Sequence, residues 1–170
     1  AVASTTGLEA TLKRPNDLRV GGKKAGGLLV ENSLTGNSVR HAVLGIGINV
    51  ALEPADENGI AATATSLNIE HGSPVAREQL LRHLLQEADL LYQSLVAGSP
   101  PLEEWRALLD TLGKRVQVQE LASSGSKSRT YSGVAEDVDA AGNLLLRLAS
   151  GRRLALAAGE VTFQEAVPSP

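Results

Sequence analysis

The apolar residues of this 170-residue chain change their repeat near Gly113, so the chain must build two kinds of structure in succession. Ahead of Gly113, Leu81, Leu84, Leu85, Ala88, Leu91, Tyr92 and Leu95 recur at helical spacing, and so do Leu102, Trp105, Leu108, Leu109 and Leu112. The spacing predicts two helices with both stripes turned into a core. The first should open at Ser73-Pro74, a capping residue followed by a proline suited to a first turn, and stop at Gly98. The second should run from Ser99-Pro100 to Gly113. Beyond Gly113 the repeat alternates, with strands expected at 116–119, 130–138, 144–148, 153–157 and 161–164 and turns at Ala141-Gly142-Asn143 and Ser150-Gly151. Five short strands in about fifty residues suit a small closed barrel.

The first fifty residues (roughly) read as extended chain punctuated by glycine. A strand over 6–12 feeds the polar loop Pro15-Asn16-Asp17, and Gly21-Gly22 is a hairpin turn because glycine accepts positive φ without a Cβ clash. A buried strand follows over 25–31, then a turn at Thr35-Gly36-Asn37 and a third strand over 39–50, making an antiparallel meander. Gly26, Gly27, Gly45 and Gly47 fall inside these strands, where they give up packing and conformational entropy. Single strand glycines mark bulges; four on neighbouring strands suggest a face opened so that a ligand can approach the backbone. Residues 52–64 read as an irregular loop broken by Pro54, Asn58 and Gly59, and 166–170 as a frayed tail.

Composition narrows the function. Sixteen basic against nineteen acidic residues leave a formal charge of -3, with no basic stripe to hold nucleic acid. There is no cysteine, which excludes disulfides and thiolate metal sites, and no apolar run of membrane-spanning length or signal-peptide pattern, so a soluble cytoplasmic protein is the default expectation. The chain also lacks methionine and opens Ala1-Val2-Ala3-Ser4, which reads as a processed chain or a fragment.

Two stretches could carry chemistry. Lys13-Arg14-Pro15-Asn16-Asp17 precedes the Gly21-Gly22 turn and Lys23-Lys24 follows it, gathering a carboxylate, a carboxamide and ammonium groups round one hairpin. Such a cluster suits an anionic ligand whose charge grows during reaction. Lysine offers a phosphate or carboxylate a compact positive charge, and aspartate can orient an amine or take its proton. A solvated turn with ordinary surface charges would carry the same residues. The second stretch, Gly45-Ile46-Gly47-Ile48-Asn49-Val50, lacks the third glycine and the strand-to-helix context of a dinucleotide fingerprint, which rules out that reading. It leaves a strand of exposed backbone ending in an asparagine that either meets a base or phosphate or closes a turn. His41, His71 and His83 show no metal-ligand spacing, and His83 is expected to face solvent. Ser124-Gly125-Ser126-Lys127-Ser128 matches a phosphate cradle in composition only, and a hairpin loop is the expectation there.

These stretches, in this order, resemble the biotin–protein ligase family. Its central motif, Lys-Trp-Pro-Asn-Asp, a turn, then Lys-x-Ala-Gly-Ile-Leu-Val-Glu, stands here as Lys13-Arg14-Pro15-Asn16-Asp17 and Lys24-Ala25-Gly26-Gly27-Leu28-Leu29-Val30-Glu31. Gly-x-Gly-Ile-Asn-Val appears as Gly45 to Val50, Ala-Thr-Ser-Leu as Ala64-Thr65-Ser66-Leu67, and the terminal strands close on Gly159-Glu160-Val161. The likeness covers nearly the whole chain and implies an α+β fold. Residues 1–112 would hold a mixed or antiparallel sheet with packed helices, part of a class II synthetase-like ligase domain. A small SH3-like β-barrel over 113–166 and a tail at 167–170 would follow.

The resemblance also implies roles. Lys24 corresponds to the lysine at the biotin carboxylate and the adenylate phosphate, and Asp17 to the aspartate implicated in transfer, making these the catalytic pair. Gly27, Gly45 and Gly47, with Lys24, correspond to biotin-binding positions; Asn49, with Asn16 as a supporting neighbour, to the nucleotide side. No metal-ligating residue is carried over. Such enzymes join biotin to ATP with Mg²⁺ assistance, giving biotinoyl-AMP, and pass the biotinoyl group to a lysine of a carboxylase's biotin carboxyl carrier domain. Many pair edge to edge, so a homodimer is among the expectations. Two departures stand out: Arg14 replaces the family's Trp, and the Gly-Arg-rich loop that lies upstream in the family is absent from this sequence. The consequence expected is weak biotin binding and little or no ligation by this chain alone. A non-catalytic relative that docks the carrier domain or another protomer is the rival reading. A lipoate-type ligase is a third, disfavoured by the Pro-Asn-Asp and Gly-Ile-Asn motifs.

Overall fold

A computed structural model of the chain describes residues 1–36, 38–53, 60–120, 128–157 and 159–164. Asn37, the breakers Pro54, Asn58 and Gly59, the Ser124-to-Lys127 part of the serine–glycine run and the tail from Ala166 lie outside the described residues. The chain packs as two units, Ala1–Leu12 with Asn16–Pro100, and Lys13–Pro15 with Pro101–Pro170.

The first unit opens with a helix where extended chain was expected. α1 (Val2–Thr6) is held by Thr5 and Thr6, whose hydroxyls donate back to the carbonyls of Ala1 and Val2, and it stops at Gly7 with φ 72°. The strand begins only at Ala10. β1 (Ala10–Lys13), β2 (Asp17–Val20), β3 (Lys23–Thr35) and β4 (Ser38–Ile48) form a sheet in that order, one strand more than the meander expected. Gly21 and Gly22 both take positive φ in the β2–β3 turn, as the hairpin requires. α2 (Ile60–Thr63) and α3 (Leu67–His71) follow, inside and just beyond the stretch expected to be irregular. Val2, Val20, Ala25, Leu67 and Leu80 form the core of this unit.

α4 (Arg77–Val96) corrects two expectations. It starts after Ala76 rather than at Ser73-Pro74, because the Ser73 hydroxyl is taken up with His71 Nδ1 at 2.9 Å. Its leucine stripe is helical but not core: Leu81, Leu85, Leu91, Tyr92 and Leu95 are exposed, Leu85 by 61%, and Leu80 is the helix's buried residue. The helix joins α1 through Leu80, which shares a core with Val2, and through polar contacts. Glu87 accepts from Ser4 and the amino terminus, and His83 Nδ1 pairs with Thr5 Oγ1 at 2.8 Å. His83 is therefore half-buried and hydrogen-bonded, not facing solvent.

In the second unit α5 (Leu102–Leu108) starts after Pro101 and ends well before Gly113. Leu109 and Thr111 are buried, whereas Leu108 of the expected stripe is exposed. β5 (Arg115–Glu120), β6 (Arg129–Val138), β7 (Leu144–Leu148), β8 (Arg153–Leu156) and β9 (Glu160–Phe163) lie within a residue or so of the five strands expected. They form one antiparallel sheet in the order β8-β7-β6-β5-β9. Alternation places Val116, Val118, Ala135, Leu144, Leu146, Leu156 and Val161 on its inner face. No helix among the described residues is long and apolar enough to cross a membrane.

Candidate functional site

The β2–β3 hairpin positions the charged pair. Asp17 opens β2 opposite Gly27, and Gly27 in turn lies opposite Gly47 on β4, so one cross-strand row reads Asp17, Gly27, Gly47. Leu18 pairs with Gly26 but Arg19 pairs with Lys24, which leaves Ala25 as the extra residue of a bulge. A bulge re-aims the side chains beside it. Here Ala25 is fully buried, while the Lys24 side chain runs back along the row, its Nζ 2.5 Å from Asp17 Oδ1. A Cβ built on Gly27 would lie 4.0 Å from that Nζ. The Lys24 side chain is 52% exposed and that of Asp17 17%, so the ammonium faces the open side and the carboxylate backs it.

The strand glycines divide into two kinds. A Cβ on Gly26 would overlap the carbonyl oxygen of Gly47, so glycine there serves strand packing and not a ligand-facing opening as expected. At Gly27, Gly45 and Gly47 a Cβ would meet nothing closer than 3.5 Å, so no neighbour among the described residues demands glycine. Gly45 and Gly47 are exposed on β4. Backbone is thus laid bare next to a half-exposed cation, an arrangement able to receive an anionic group against Lys24 with an apolar or amide group along the strands.

Both asparagines flank this row with their side chains turned to backbone. Asn16 Nδ2 donates to Leu28 O at 2.7 Å, and its own carbonyl accepts from Leu28 N, tying the entry of β2 to β3. Asn49 Nδ2 donates to Thr65 O at 3.1 Å while its amide donates to Ala25 O. In the sequence Thr65 stands only as one letter of the Ala64-to-Leu67 motif, and Glu70 carries no signal. Thr65 N donates to Lys24 O at 2.8 Å, and Thr65 Oγ1 donates to Glu70 Oε1 at 2.6 Å.

Arg14, the departure from the expected Trp, belongs to the second unit and is buried there at 9% exposure. Its guanidinium donates to Gly142 O at 2.6 Å and Ala157 O at 3.3 Å and lies over the Trp105 ring. Burial lowers its pKa from the ordinary value, opposed by the charge of Asp139. This long cation is accommodated by stacking on an aromatic ring and donating to two carbonyls.

Comparison with known proteins finds biotin protein ligases. Residues 111–163 match the family described as "Biotin protein ligase C terminal domain". The chain is 31% identical over 165 residues to a biotin–[acetyl-CoA-carboxylase] ligase of Paracoccus denitrificans, covering 89% of this chain and 62% of that protein. It is 29% identical over 153 residues to the bifunctional ligase/repressor BirA of Bacillus subtilis, covering 88% and 45%. The fold is similar to that of biotin protein ligase from Aquifex aeolicus in complex with biotin and ATP, with a TM-score of 0.76 at 23% identity over 97% of this chain and 66% of that one. The chain spans 45% and 62% of the length of the two sequence relatives.

Proposed function

Because the chain belongs to the biotin protein ligase family, we propose that it carries the lysine-centred part of a site that activates biotin with ATP and passes the biotinoyl group to a lysine of a carboxylase carrier domain. The observation that carries this reading is Lys24 Nζ paired with Asp17 at 2.5 Å beside the bare Gly27–Gly47 row. In the first step the biotin carboxylate attacks the α-phosphorus of ATP and pyrophosphate departs. Lys24 neutralises the carboxylate and phosphate oxygens as they meet. In the second, the acceptor amine attacks the acyl carbon and AMP leaves, with Asp17 orienting the amine and receiving its proton. A preorganised donor of this kind contributes roughly a hundredfold to a thousandfold in rate.

Gly27, Gly45 and Gly47 let biotin lie against backbone. Asn49 and Asn16 belong to the nucleotide side, where their hydrogen bonds to the Thr65 and Leu28 carbonyls favour a role in framing it. The described residues hold no group of three or more His, Cys, Asp or Glu fit for a metal; Mg²⁺ would reach the site on the phosphates of ATP and offset their charge. In the same reading residues 1–112 are part of a class II synthetase-like ligase domain and 113–166 an SH3-like barrel, working in the cytoplasm.

Calorimetry of the 170-residue chain against a non-hydrolysable biotinoyl-adenylate analogue and its lipoyl counterpart tests the proposal. Saturable binding that prefers the biotinoyl form and weakens about ten- to a hundredfold in Lys24→Ala is expected, the factor for a lost charge-assisted contact. Preference for the lipoyl form, or no saturable binding, overturns it. A second reading, a non-catalytic docking or dimerisation module, is favoured by a separate observation: Val39, Val43 and Leu44 of β4 and Leu81, Leu85 and Tyr92 of α4 are all exposed. That reading expects self-association or carrier binding that Lys24→Ala leaves unchanged.

A further inference from the structure

We propose that Thr65 and Glu70 are positioning residues for Lys24, a role that rests on the ligand-binding part assigned to Lys24 above. An ammonium on a four-carbon stem, half in solvent and held by one ion pair, is not fixed by that pair, because exposed ion pairs are weak and screened. Its placement has to come from the backbone it grows from. That backbone sits at a bulge, where the ladder between β2 and β3 is locally interrupted.

Thr65 makes good the interruption. It runs beside Lys24 through a parallel bridge between Lys24 and Ala64, and its amide donates to Lys24 O at 2.8 Å. Its own carbonyl accepts from Asn49 Nδ2, and the Asn49 amide donates to Ala25 O at 2.7 Å, so the bulged residue is held from the β4 side as well. Thr65 is buried to 1% exposure and cannot turn to water for its hydroxyl's partner. It donates to Glu70 Oε1 at 2.6 Å, a charge-assisted bond to a carboxylate. Glu70 is seated in turn against the β2–β3 turn: a Cβ added to Gly21 would overlap its Oε2. Turn, glutamate, threonine and lysine backbone therefore form one closed loop of contacts. Gly21 is favoured there by its positive φ, and a side chain in its place would have to displace the Glu70 carboxylate.

The test uses the whole chain with Thr65→Val, Glu70→Ala and the conservative Thr65→Ser and Glu70→Gln, read by amide hydrogen exchange, by ¹³C relaxation at Lys24 Cε and by biotin affinity. Thr65→Val and Glu70→Ala should speed exchange of the residue-65 and Asn49 amides about tenfold or more, loosen Lys24 Cε and weaken biotin about tenfold, as loss of one hydrogen bond to a charged group predicts. Thr65→Ser and Glu70→Gln keep a donor and an acceptor and should stay within about threefold of the native chain. Amides of the β3–β4 ladder from Val30 to Asn32, in the same unit as Lys24, should be unchanged, which separates loosening from unfolding. Should Thr65→Val fail to fold, the Glu70→Ala and Glu70→Gln pair, on a half-exposed side chain, decides the matter. Native Lys24 mobility and native exchange in Glu70→Ala, or equal damage from the conservative pair, overturns the proposal. If the native chain binds no biotin, the ligase reading fails while exchange and relaxation still decide whether Lys24 is positioned this way.

Discussion

Gly26 and Gly47 are neighbours in adjoining strands and the same residue type, yet they should respond oppositely to substitution. Gly26→Ala drives a methyl into the Gly47 carbonyl and should cost on the order of 1–3 kcal/mol in urea unfolding, as overpacking does. Gly47→Val, where a Cβ meets only ordinary contacts, should leave stability within about 1 kcal/mol while abolishing biotinoyl-adenylate binding. Loss of fold in Gly47→Val would remove the ligand as the reason for that glycine. Arg14 makes a different demand. Arg14→Ala leaves two carbonyls and a ring face without their partner and should destabilise the second unit by roughly 2–3 kcal/mol. Trp105 is the chain's one tryptophan and reports the change directly through its fluorescence on unfolding. An Arg14→Ala chain as stable as the native one would show the guanidinium to be incidental.

At the level of elements, an amphipathic repeat tells where a helix is and not whether anything meets its apolar side. Leu80→Ala on α4 should cost about 2–4 kcal/mol, the usual range for a buried leucine. Leu85→Gln on the same helix should change stability by no more than about 0.5 kcal/mol, because its side chain is already in solvent. Equal losses would mean that α4 buries both. The strand side of the second unit carries a pH signature. The hydrogen bonds from Arg106 and Arg147 hold the Asp137 and Glu136 carboxyls below their ordinary range, and the Asn143 side chain does the same for Asp139. The folded form thus binds protons less readily than the unfolded chain, so these groups add stability above the ordinary carboxylate pKa of about 4 and lose it as pH falls through their lowered values. Thermal melts taken downward from pH 5 should show this unit weakening, and Asp137→Asn should flatten the slope. All three groups are half-buried at the surface, within reach of water and salt, so the effect should be modest and salt-sensitive.

For the molecule as a whole, the extent of the match to longer ligases bears on what the isolated chain can do. It carries the lysine hairpin and the glycine strands but spans 45–62% of its sequence relatives, and the 170-residue polypeptide should transfer little or no biotin to a carrier domain. Robust transfer by the purified chain would contradict that. Much of the architecture was legible in advance. The strands expected at 144–148 and 130–138, the Gly21-Gly22 turn and the gathering of Asp17 and Lys24 round it follow from alternation, glycine and short-range spacing, which are properties of neighbouring residues. What tertiary structure alone decided depends on residues remote in the chain. Arg14 finds its carbonyl 128 residues away, His83 finds Thr5 across 78, Thr65 closes onto Lys24, and the α4 stripe stays open. Local pattern sets backbone conformation and which side of an element is apolar. Whether a side chain there is buried, paired or bare depends on what the folded chain brings opposite it, and no short-range repeat encodes that.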